Sequence, residues 1–105
     1  MEPNDFVILH LLEPKELFWG RLIRLDAAGA VIRGIDLKQV DSYKYELKAT
    51  SRSIFPQTVF YPMRRIMQIA KDEWVDDIPS IADGMLQYAE ISRDELLCED
   101  EAHFA

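Results

Sequence analysis

One cysteine, two histidines and four glycines are all that 105 residues contain of these types, and each shortage closes a route. Cys98 alone forms no internal disulfide, which favours a reducing compartment, and a cytoplasmic protein is expected. His10, His103 and Cys98 lack ligand spacing, and the acidic stretches Asp76-Asp77 and Glu99-Asp100-Glu101 lack the glycine of a calcium loop. No metal and no cofactor is therefore expected. The glycines do not gather into a phosphate-cradling loop, and no serine or cysteine stands near a plausible base and orienting acid, so an enzyme is not expected. The longest apolar run near the N-terminus, Phe6 to Leu12, contains His10 and is far too short to span a bilayer. Nothing basic precedes it, so neither a membrane anchor nor a secretory leader is expected.

Basic residues are also scarce where acids are dense. Residues 1–71 carry 11 basic and 8 acidic side chains, whereas residues 72–105 carry 11 acidic side chains and only Arg93. The formal charge of -7 thus divides into a mildly basic part and a strongly acidic one. With nearly half its residues apolar and a tenth aromatic, the chain is long enough for one folded domain with a modest core.

What is present reads as strands. Phe6 to Leu12 is a bounded apolar run that suits a strand covered on both faces, and Glu13-Pro14-Lys15-Glu16 reverses the chain. Leu17 to Asp26 and Ala30 to Ile35 form a hairpin around Asp26-Ala27-Ala28-Gly29, with Gly20 and Gly34 inside its strands. A glycine within a strand marks a bulge, a sharp bend or a close backbone approach, as small barrels require. Phe18 and Leu22 fall on one face of the second strand, while Leu17, Trp19, Arg21 and Ile23 fall on the other. Both faces carry large apolar groups, so another element or another subunit is expected over the outer one. The stretch 41–50 fits either a short helix begun by Asp41 or Ser42 or a strand alternating Tyr43, Tyr45, Leu47 and Ala49. Gln57 to Tyr61 and Arg64 to Ala70 give two more strands, separated by Pro62-Met63. Past Lys71 the pattern becomes helical: Ser80 with Asp83, and Ser92 with Glu95, resemble serine caps with an acid three residues on.

Two stretches resemble the motifs of the Sm fold, the small barrel of Sm and Lsm proteins and bacterial Hfq. The first is Gly20-Arg21-Leu22-Ile23-Arg24-Leu25-Asp26 with Gly29-Ala30-Val31-Ile32; the second is Thr58 to Ile69 in its apolar frame. The resemblance implies a mainly β chain: a five-stranded, strongly bent Sm-like (SH3-like) barrel over residues 1–71, with an insertion around 37–53. Residues 72–105 then form an acidic helical extension and tail. It also implies a homo-oligomeric ring, closed by pairing the fourth strand of one subunit with the fifth of the next, with Val59, Phe60, Tyr61, Ile66, Met67 and Ile69 at the contact. Such closure would remove two exposed edges.

The departures from the motifs fall where the family binds RNA. Ala27-Ala28-Gly29 offers no aromatic or histidine face for a base, and Pro62-Met63 stands where the family presents arginine and glycine, or lysine and histidine. Asp26 alone matches the base-binding set. Arg64 and Arg65 follow the strand break and are placed to contact phosphates, with Tyr61 and Arg24 nearby in the same frame. The competing reading puts the two neighbouring arginines on opposite faces of a strand, one solvated and one paired with an acid. Arg21, Arg24 and Arg33 are expected on exposed strand faces, Trp19 beneath the C-terminal helix or at a subunit contact, and His10 in a satisfied buried position. The expected functions are an Sm-like ring-forming protein with weak or atypical RNA binding, or a protein-interaction scaffold that keeps the assembly and has lost the nucleotide pocket. A monomeric SH3-like barrel is the third possibility. In each the acidic segment is either a solvated helix and tail or a gate folded over the basic part.

Overall fold

Strand propensity and turn chemistry produce five strands, and one sheet contains them all in the order β4-β3-β2-β1-β5, every pairing antiparallel. The structure, a computed structural model, describes residues 1–97. Cys98, His103 and the acidic stretch at the end of the chain lie outside the described residues. The strands are β1 (Phe6–Leu11), β2 (Glu16–Asp26), β3 (Gly29–Asp36), β4 (Gln57–Pro62) and β5 (Ile66–Lys71). Helix α1 (Val40–Glu46) follows a 3-10 turn at Leu37–Gln39, and α2 (Ile81–Ala89) follows β5. The stretch whose periodicity allowed helix or strand is thus helical over its first half. No helix among the described residues is long and apolar enough to cross a membrane.

The sheet is strongly curled, and its connectivity requires this. β4 and β5 are its opposite edges, which in a flat sheet would lie about 19 Å apart at four strand spacings. Only the 3-10 turn Met63–Arg65 joins them, and at about 2 Å of rise per residue such a turn reaches less than half that distance. Gly20 and Gly34 make the curl sterically possible. They are register partners, and a Cβ on Gly20 would lie 2.7 Å from the Gly34 Cα and run into the Arg33 carbonyl. A register shift between Leu22 and Arg24 adds a bulge at Ile23, and Ile23 and Leu25 in this end of the hairpin are exposed. The ladder of hydrogen bonds remains open between β4 and β5.

Each face of the curled sheet has its own apolar cluster. On the concave face Val7, Leu9, Leu11, Phe18, Leu22, Ala30 and Ile32 are buried, with Val59, Tyr61, Ile66 and Ile69 packed against them, so all five strands contribute. On the convex face Phe6, Trp19, Ile35 and Tyr43 meet Ala82, Met85, Leu96 and Leu97. The outer face is therefore covered by α1, α2 and the turns that follow, within the same chain. Trp19 is fully buried beneath them, as expected, and its ring stacks on Phe6 at 5.6 Å.

The acidic segment is attached by specific bonds. Asp72 accepts hydrogen bonds from the Trp19 indole Nε1 (3.0 Å) and from the backbone N–H groups of Ile81 (2.8 Å) and Ala82 (2.9 Å), joining the sheet to the first turn of α2. Ser80 caps that helix as predicted, its hydroxyl accepting from the Asp83 N–H. The second predicted cap fails: residues 93–97 form turns instead of a helix. Tertiary bonds compete for the carbonyls there. The Arg21 guanidinium donates to the carbonyls of Arg93 and Leu96, and Arg33 Nε donates to that of Leu97. This also corrects the expectation for the arginines. Arg33 is buried at 7 % exposure and Arg21 half-buried, so only Arg24 of the three stands on an exposed surface. His10 is half-buried on β1.

Candidate functional site

The β2–β3 turn and the β4–β5 turn are remote in sequence, and the pairing of β3 with β4, which sets Gly29 opposite Pro62, brings them together at one end. The Met63 N–H donates to the Ala28 carbonyl at 2.9 Å. On the other side of the same 3-10 turn, the Leu12 N–H donates to the Arg65 carbonyl at 2.8 Å. This end holds all five residues predicted to contact RNA, and most of them are occupied within the chain.

Asp26 organises its own turn: Oδ1 accepts from the N–H groups of Ala28 (2.9 Å) and Gly29 (3.3 Å), and Oδ2 lies 3.4 Å from Arg24 Nε. Arg65 is likewise spent. Its Nε donates to the Leu12 carbonyl and a terminal nitrogen to the Pro14 carbonyl, both at 2.8 Å, with Glu16 at 3.8 Å. Its guanidinium also lies 5.5 Å from the Tyr61 ring centroid. Arg65 thereby locks the β4–β5 turn to the β1–β2 turn, and an arginine expected on a strand sits on a 3-10 turn instead. Tyr61 packs edge-on against Phe18 at 5.6 Å, and burial holds its hydroxyl above the usual 10.0. Arg64, exposed on the same turn, makes no hydrogen bond or ion pair among the described residues. The grouping resembles a cross-brace between three turns more than an open pocket.

No family model, curated protein or solved structure matches the chain.

The six residues predicted at a subunit contact divide in two. Val59, Tyr61, Ile66 and Ile69 turn inward to the concave cluster, whereas Phe60 and Met67 turn outward, 51 % and 54 % exposed. Both lie on edge strands whose outer hydrogen-bonding groups meet no strand among the described residues. An edge of this kind is open to pairing.

Three further features escaped the sequence reading. Asp72 carries the junction between sheet and extension, and one acid among eleven gave no signal of that. The cross-strand partners Arg21 and Arg33 hold backbone carbonyls, which no charge pattern reports. The stretch Trp74-Val75-Asp76-Asp77-Ile78 is a projecting turn with large apolar side chains in solvent. Its signal was available, because three large apolar residues interleaved with acids suit neither a core helix nor a solvated tail. Elsewhere, a cavity of about 360 Å³ is lined by Phe18, Ile35, Asp36, Gln39, Ile54 and Phe55, among others. Among the described residues, no group of three His, Cys, Asp or Glu side chains could hold a metal ion.

Proposed function

We propose that this chain is an Sm-like assembly module that works through protein contacts, associating into a ring by pairing its two sheet edges. The observation that carries the reading is the strand order: β4 and β5 are both edges, they meet through one short turn, and each exposes one large apolar side chain, Phe60 or Met67. A chain with two free, complementary edges about a curled sheet generates a closed ring when each edge pairs with a neighbour's other edge. Occupation of Asp26 within its own turn and of Arg65 by the carbonyls of the β1–β2 turn favours the scaffold role over a nucleotide pocket. A second reading, weak RNA binding, rests on Arg64, which is exposed where the two motif turns meet.

Native mass spectrometry separates the readings. The expected spectrum shows a multiple of 12.2 kDa, no copurified nucleic acid, and collapse to smaller species for Phe60→Lys or Met67→Lys. A sole 12.2 kDa species at micromolar concentration refutes assembly and leaves an SH3-like monomer. Binding of oligouridine that weakens with salt and with Arg64→Ala would establish the RNA reading instead.

A further inference from the structure

Gly84 sits in the middle of α2, where glycine gives up helix propensity relative to alanine. Nothing among the described residues accounts for it: its conformation is helical, and a Cβ built there meets no atom beyond its own helix's backbone within 4 Å. What it does is keep open a groove of about 210 Å³ between α1 and α2, lined also by Val40, Asp41, Lys44, Ile78 and Met85. That volume is below the roughly 300 to 1,000 Å³ typical of small-ligand sites and suits a single inserted side chain.

One wall of the groove continues into the most exposed large apolar side chains among the described residues of the extension. Val75 and Ile78, 62 % and 65 % exposed, close a turn on each other, the Val75 N–H donating to the Ile78 carbonyl (3.0 Å) and the Ile78 N–H to the Val75 carbonyl (2.9 Å). Trp74 beside them is fixed by its indole N–H, which donates to Asp83 Oδ2 at 2.6 Å, and Asp83 in turn lies 3.6 Å from Arg93. These apolar groups are thus held in place before any partner arrives, which lowers the ordering cost of binding. Around them the charge has one dominant sign. Glu73, Asp76 and Asp77 are exposed and make no ion pair among the described residues, and Asp41 lies in the groove itself. Lys44, the cation in the lining, has its ammonium 5.2 Å from the Tyr88 ring centroid.

We propose that the Gly84 groove and the adjoining Val75–Ile78 turn form a docking site for a protein segment carrying one apolar anchor flanked by lysine or arginine. The acidic rim selects that partner over nucleic acid. It also selects against a second copy of this chain, because a symmetric contact would press the same carboxylates together. The proposal rests on the interaction-module part of the functional reading and not on ring closure. The two therefore fail separately.

The test pans the full chain against a displayed random-peptide library and titrates the enriched peptides. Enriched sequences are expected to pair a Leu, Ile, Met or Phe anchor with nearby Lys or Arg, and to bind more weakly as salt rises. Gly84→Leu and Ile78→Ser are each expected to weaken them by about tenfold or more, whereas Phe60→Lys on the β4 edge, which does not line the groove, leaves them unchanged. Ile78→Ser alters an exposed turn, so the test survives if Gly84→Leu disturbs folding. No enrichment, enrichment of acidic or uncharged sequences, or indifference to both substitutions overturns the site. Self-association abolished by Gly84→Leu but kept by Phe60→Lys also overturns it, in favour of a second copy. Peptide binding by a chain that stays monomeric refutes only the ring.

Discussion

Replacing Gly84 with alanine should make the protein more stable. In a helix interior, alanine is favoured over glycine by about 0.8 to 1.0 kcal/mol, because glycine loses more backbone freedom on folding. The structure leaves this gain intact. Beyond its own helix's backbone the added Cβ meets nothing among the described residues within 4 Å, so no steric cost is subtracted, and position 84 lies three residues inside a helix already capped by Ser80. An unfolding entropy of about 2.1 cal/mol/K per residue gives about 0.22 kcal/mol/K for 105 residues, so the gain corresponds to about 4 °C in Tm. Thermal melts by circular dichroism, with urea titrations showing a higher midpoint at unchanged slope, measure it. A Tm equal to or below that of the parent would refute the reasoning, since it would mean that the space beside Gly84 is not open or that α2 is not helical there. The same methyl group narrows the proposed groove, so stability and peptide binding should move in opposite directions.

Asp72→Ala should be among the most damaging changes in the extension, because it strips the acceptor from the buried Trp19 indole and from two N–H groups in the first turn of α2. A loss of about 2 to 3 kcal/mol is expected in urea unfolding, with Asp72→Asn milder; a loss no larger than that of an exposed surface substitution would sink this account. Acid should loosen the loop after α1. The hydrogen bond from the Ser53 hydroxyl, followed by those from the Ile54 and Ser53 N–H groups, holds the Glu46 carboxyl below its ordinary 4.5. A depressed carboxyl pKa contributes stability above the unfolded value that is lost as pH falls through the folded one. Amide exchange at Ser53 and Ile54 should therefore rise relative to neighbouring amides below about pH 4.5, and Glu46→Gln should flatten that response.

Much of the sheet was legible in the sequence because its signals are local. The alternation of Phe18 and Leu22 against Trp19, the glycines at 20 and 34, and the break after Tyr61 each act through the backbone of their own segment. The stretch 41–50 was ambiguous because Tyr43, Leu47 and their neighbours satisfy both periods. Burial of Tyr43 against the convex cluster, with Asp36 accepting from the Lys38 N–H ahead of the helix, decides for α1. The candidate site was harder to read. Asp26 and Arg65 are chemically suited to bind a nucleotide, and a one-dimensional pattern does not say that their bonds go to Ala28, Gly29, Leu12 and Pro14.

By itself, then, the sequence determined where this chain bends, which of its faces are apolar and how its charge divides, because propensity, periodicity and composition depend on near neighbours. Tertiary structure alone decided the rest. It covered the convex face with the chain's own helices, committed Arg21, Arg33 and Asp72 to internal bonds, and left Phe60, Met67, Val75 and Ile78 facing solvent. Those outcomes depend on which groups meet across 50 to 75 residues of chain, where each donor and acceptor has many candidate partners and only the closed fold selects one.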